Sequence, residues 1–165
     1  MNEPSQTQVL PVLGFEPTYH CVAQTNQWNS ALACISSVVK LPIEAVLDVA
    51  IQQFNRSASG RKFVTRKLIH ELFAHYDWWI ATRYREANAV NELPDLALIL
   101  LSKKPDQFGL FQRQKLEGGK LPVCYLINSA VGISEDQQFR LDVETILPCQ
   151  FLSICSMDTY LLNFW

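Results

Sequence analysis

The sequence predicts an α+β domain in which helices from its first half pack on a mainly antiparallel sheet from its second half. Two observations carry this. Up to about residue 76, apolar residues recur three and four apart, the spacing of one helix face. Beyond it they fall in short runs rich in β-branched and aromatic residues, the composition of strands. Helices first and strands later favour an antiparallel sheet over alternating βα units.

The elements follow in order. Residues 1–18, with Pro4, Pro11 and Pro17, read as an extended N-terminal arm on a single domain spanning 19–165. Ala31, Leu32, Ile35, Val38 and Val39 line one face of a first helix, with Asn29 and Ser30 as suitable caps. Lys40-Leu41-Pro42 closes it, because a residue before proline is pushed out of the α region, and Pro42 opens a second helix at its first position. Ile43, Val46, Leu47, Ala50, Ile51 and Phe54 give that helix its stripe, and a polar loop follows from Asn55 to Arg61. Thr65 caps a third helix carrying Leu68, Ile69, Leu72, Phe73 and Tyr76.

Asp77 to Tyr84 reads as a strand whose adjacent Trp78 and Trp79 point to opposite faces, one to the core and one to a groove or interface. Glu86 to Glu92 is a polar connection. The run Leu96–Leu101 fits a buried strand or a short helix equally. Phe108–Phe111, a turn at Glu117–Lys120, a strand at Pro122–Ile127, a loop at Ser129–Asp136, an alternating strand at Phe139–Val143 and a last core strand at Phe151–Cys155 complete the reading.

Composition narrows the function. With 48% hydrophobic and 18% charged residues the chain is globular rather than disordered. A net charge of −2 without a basic cluster argues against nucleic-acid binding. No apolar run reaches membrane-spanning length, and no secretory signal opens the chain. The five cysteines form an odd set without a CxxC pair, which fits reduced thiols in the cytoplasm. His20-Cys21 lacks a second ligand pair at metal spacing, so no metal or cofactor is expected.

The stretch from Gln24 to Ser37 carries the functional signal. Ser30 opens a helix, where main-chain N–H groups and the helix dipole favour an anion, and a glutamine lies six residues upstream. This run resembles the active-site helix of the papain-like cysteine peptidases, closest to their C39-like, bacteriocin-processing branch. The resemblance implies a papain-like fold, with Gln24 at the oxyanion position and Ser30 where the nucleophilic cysteine belongs. "Helix, Leu-Pro, helix, loop" behind it resembles the C39-like layout as well.

The resemblance also implies a histidine early in a strand of the C-terminal half, after a glycine and ahead of an apolar run. Gly118–Tyr125 is the matching place and contains none; all three histidines, His20, His70 and His75, come earlier. Asn128 or Asp142 would orient the absent base. An unactivated serine hydroxyl is a poor nucleophile. The expectation is therefore a catalytically degenerate peptidase-like domain that holds a polypeptide partner in its former groove, with Trp28, Asn29, Trp78 and Trp79 as binding residues. Two alternatives stand beside it. One is an active cysteine peptidase, toxin or effector in which Ser30 replaces the native cysteine. The other is a small adaptor without peptidase ancestry. The apolar Leu161–Trp165 segment suits docking on its own domain or homodimer formation.

Overall fold

The computed structural model describes residues 15–24, 29–54, 64–104, 106–130 and 138–163. Among them run four helices, α1 (Ser30–Val39), α2 (Ile43–Phe54), α3 (Arg66–His75) and α4 (Met157–Asn163). Seven strands accompany them: β1 (Trp78–Ile80), β2 (Arg85–Ala87), β3 (Leu96–Ser102), β4 (Gln107–Gln114), β5 (Val123–Ile127), β6 (Phe139–Arg140) and β7 (Cys149–Ser156). The fold is α+β, its N-terminal helices packed on an open antiparallel sheet.

Local chemistry sets the helix ends. Lys40 takes the left-handed conformation (φ 58°, ψ 42°), and its N–H and that of Leu41 both reach the Ser36 carbonyl, which stops α1. The Pro42 carbonyl then accepts from Ala45 and Val46, so Pro42 caps α2 from one position before its first residue. Thr65 Oγ1 accepts from the Leu68 N–H at 3.1 Å, the N-cap expected from the sequence. Thr65→Ala should cost about 1 kcal/mol, which lowers the melting temperature by about 2–4 °C. Thr65→Ser should keep nearly all of it; equal losses in both variants, measured by thermal melting, would show that the hydroxyl does not matter.

The sheet order is β1-β7-β3-β4-β5-β6, with β2 also on β7. β1 and β2 lie along the same side of β7. Ile80 faces Ile154 and Arg85 faces Phe151, so the edge carries extra residues around Thr82–Tyr84 and buckles there. The last strand of the chain thus sits inside the sheet, between β3 and this irregular edge.

β3 explains its own ambiguity in the sequence. Leu96 and Leu98 pack into the core under the helices, while Ala97 and Ile99 pack into a second core on the opposite face. A strand buried on both sides shows no alternation. The second core is roofed by two short 3-10 turns, Val90–Glu92 and Val143–Ile146, through Val90, Leu93, Val143 and Ile146. Arg113 holds the first turn down, donating to the Leu93 carbonyl at 2.8 Å and the Val90 carbonyl at 2.7 Å. The second turn cuts short the strand expected over Phe139–Val143. Arg140 pairs with Asp142 at 2.7 Å and also reaches Thr145, so the chain turns after Arg140.

Residues 15–22 form a strap across the ends of β4 and β5. Gln114 ties it down from both sides of its amide, accepting from the Thr18 N–H and donating to the Glu16 carbonyl, each at 2.8 Å. The Tyr19 N–H donates to the Tyr125 hydroxyl at 3.2 Å. The rest of the arm, residues 1–14, lies outside the described residues. At the other terminus Tyr160 of α4 stacks on Trp79, ring centres 4.8 Å apart, while Leu162 is 80% exposed. Phe164 and Trp165 lie outside the described residues. Among those described, no helix is long and apolar enough to cross a membrane.

Candidate functional site

Ser30 is the first residue of α1 and is 2% exposed. Its hydroxyl is directed at the start of β4, where Oγ accepts from the Phe108 N–H at 3.0 Å and lies 3.5 Å from the Asp106 carbonyl. One helical turn on, Cys34 Sγ donates to the Phe108 carbonyl at 3.7 Å. Residues four apart share a helix face, so Ser30 and Cys34 together grip both main-chain polar groups of Phe108. This joint fixes α1 to the sheet 78 positions along the chain.

The strand brought to Ser30 is therefore β4, and the residue between its two contacts is Gln107. The Gly118–Tyr125 stretch belongs elsewhere. Gly118 and Gly119 form the β4–β5 turn with φ of 75° and 70°, a conformation that suits glycine. β5 is the strand beyond β4 in the sheet order. Nothing local in the sequence signals that a helix begun at residue 30 ends up beside Asp106 and Phe108.

The surroundings of this joint are polar but not nucleophilic. Burial pushes the Cys34 thiol far above its ordinary range, and neighbouring Cys21 pushes it further. Cys21 is also raised by burial, offset in part by its contact with Ser129 Oγ at 3.5 Å. Neither thiol is ionised near neutral pH. Toward the buckled edge, Arg66 donates to the Thr82 carbonyl at 2.9 Å and lies over the Tyr84 ring, 4.9 Å from its centre. Tyr84 keeps a buried hydroxyl without a hydrogen-bond partner among the described residues. Burial first, and then the Asp106 carboxylate, raise its pKa.

No family model matches this chain, and no curated protein is similar to it.

The residues singled out from sequence divide into three groups. Gln24, Asn29 and Ser30 are all buried, the latter two at the start of α1. Asn29 stands at the N-cap position, where its carbonyl accepts from Ala33 at 3.1 Å, but its side chain does not cap the helix. Trp28 lies outside the described residues. Trp78 and Trp79 are in β1, three strands from β4, about 14 Å at normal strand spacing. Trp78 packs against the core under the helices and Trp79 on α4, so the structure does not bring this pair to Ser30.

The histidines are equally dispersed. His20 is exposed on the strap, and His70 and His75 are on α3. Burial and then Arg66 lower the His70 pKa. His75 packs edge-on against Phe54 and Tyr76. The two residues suggested for orienting a base have other partners. Asn128 Oδ1 accepts from Ala130 N–H at 3.0 Å, and Asp142 pairs with Arg140. Among the described residues, no three His, Cys, Asp or Glu side chains gather as a metal requires.

Proposed function

We propose that this chain is a peptidase-like domain without hydrolytic activity that holds an extended polypeptide at the N-terminal end of α1. The observation that carries the reading is the engagement of Ser30. A serine nucleophile needs a base to take its proton. Here Oγ accepts an N–H from the sheet, and the β4 residue flanked by its contacts is Gln107, whose amide cannot accept a proton at physiological pH. What the site offers instead is hydrogen bonding. The first turn of a helix carries N–H donors that suit the carbonyl groups of an extended peptide.

Thiol chemistry tests the loss of hydrolysis. Ser30→Cys should react with iodoacetamide at pH 7 no faster than a free cysteine, because among the described residues the Ser30 hydroxyl meets main-chain groups rather than a cation or base. Adding Gln107→His should raise that rate about 10- to 100-fold by restoring a base beside the thiol. Fast alkylation of the single variant would instead favour an active cysteine enzyme whose nucleophile Ser30 has replaced. Binding is tested with a reduced and alkylated, permanently unfolded protein as probe. Gln24→Ala should weaken its capture; unchanged binding would favour the adaptor alternative, with its interface elsewhere.

A further inference from the structure

At the opposite end of α1 from Ser30, a cleft of about 750 Å³ opens between the strap and the α1–α2 junction. The helix rises 1.5 Å per residue, so the cleft lies about 15 Å from the Ser30 joint. We propose that it binds the C-terminal end of a polypeptide, recognising a free carboxylate, the last amide N–H and an aliphatic final side chain. This site stands whether or not the Ser30 end binds anything.

Both walls are held in place. Gln114 and Tyr125 pin the strap from the sheet side, and the Lys40 cap and Pro42 fix the junction. The cleft is therefore preformed, and its size falls within the range of small-ligand sites.

Lys40 is the most telling residue in it. It occupies the left-handed position after α1, where glycine is favoured and a side chain carries a conformational cost. The lysine brings an ammonium to the cleft, and its partner among the described residues is the face of Tyr19, 6.0 Å from the ring centre. Such a contact leaves the ammonium available to a carboxylate. The His20 imidazole lines the same cleft and adds a second donor.

Glu16 supplies the complementary group. A carboxylate beside a cation would repel a simple acid, but it accepts the amide N–H that precedes the terminal carboxylate of a peptide. Pro17, Leu41 and Pro42 give apolar wall for the last side chain. At the floor, Ser36 is fully buried, and its hydroxyl has no hydrogen-bond partner among the described residues. Ser37 beside it shows the ordinary arrangement, bonding back to the Ala33 carbonyl at 3.1 Å.

The test is a chemical-shift titration of the full chain with three probes: N-acetyl-leucine, its C-terminal amide, and hexanoate. N-acetyl-leucine should give saturable shifts at residues 16–22 and 36–42 and bind about tenfold more tightly than either other probe. Lys40→Gly should weaken it about fivefold or more, while thermal melting shows a fold at least as stable, because glycine relieves the left-handed position. Ser30→Cys should leave the titration unchanged. Equal binding of acid and amide would overturn the proposal, as would hexanoate matching N-acetyl-leucine. So would full binding by Lys40→Gly, or shifts that never saturate.

Discussion

Gly109→Ala should destabilise the protein by about 1–3 kcal/mol, the cost of overfilling a packed interior, and Gly109→Val should prevent accumulation of folded protein. Gly109 lies in β4 opposite Ile99 of β3. A methyl group there would stand 3.0 Å from the Ile127 carbonyl oxygen, 3.0 Å from Leu101 Cδ1 and 3.1 Å from Leu126 Cδ1. The two leucine methyls can turn aside. The carbonyl belongs to β5, paired with β4 at this level, and moving it disturbs the ladder. Alanine would also restrict the unfolded chain, which offsets about 0.4–1 kcal/mol of the loss. The expected fall in melting temperature is about 2–12 °C. A Gly109→Ala protein as stable as the parent in urea and in thermal melts would mean that β5 has slack at this point.

Alkali should destabilise this protein progressively between about pH 10 and 12. Burial pushes the Tyr125 phenol up to about 12, and burial likewise raises Tyr19, Tyr76 and Tyr84. A raised folded pKa means that the native state keeps a proton the unfolded chain releases near pH 10. The resulting stability is complete below about pH 10 and disappears as the pH climbs through the folded value. For Tyr125 alone, two units correspond to roughly 2–3 kcal/mol. Its hydroxyl also donates to Gln112 and accepts the Tyr19 N–H, so ionisation loosens the strap as well. Tyr125→Phe should be less stable than the parent at pH 8 and lose less between pH 10 and 12. Parallel urea midpoints for the two proteins across that interval would contradict this assignment.

How far the sequence foretells these features depends on whether their cause is local. The three N-terminal helices are legible because periodicity, Pro42 and Thr65 all act within a few residues. β2 is not, because Arg85 and Glu86 are exposed on an edge and carry no apolar signal. The alternation over Phe139–Val143 is real, but an Arg140–Asp142 pair diverts the chain after two strand residues. At the candidate site, Asn29 and Ser30 are legible as a helix start. Their counterpart at Asp106–Phe108 is not, since the contact is fixed by how α1 lies across the sheet. For the same reason a tryptophan pair that looks suited to a groove ends up on another edge.

The place of β7 has a consequence for how the protein is made. Strands β3, β4 and β5 follow one another and pair as neighbours, so they can assemble as the chain leaves the ribosome. β1 and β2 are synthesised before them but pair only with β7, whose last residue is Ser156. Until then, one flank of β3 is an open apolar edge and Trp78–Ile80 has no sheet to join. Completion of the sheet is therefore a late, long-range event. The nascent chain presents an unpaired hydrophobic strand during synthesis, the interval in which chaperones and competing chains have access to it.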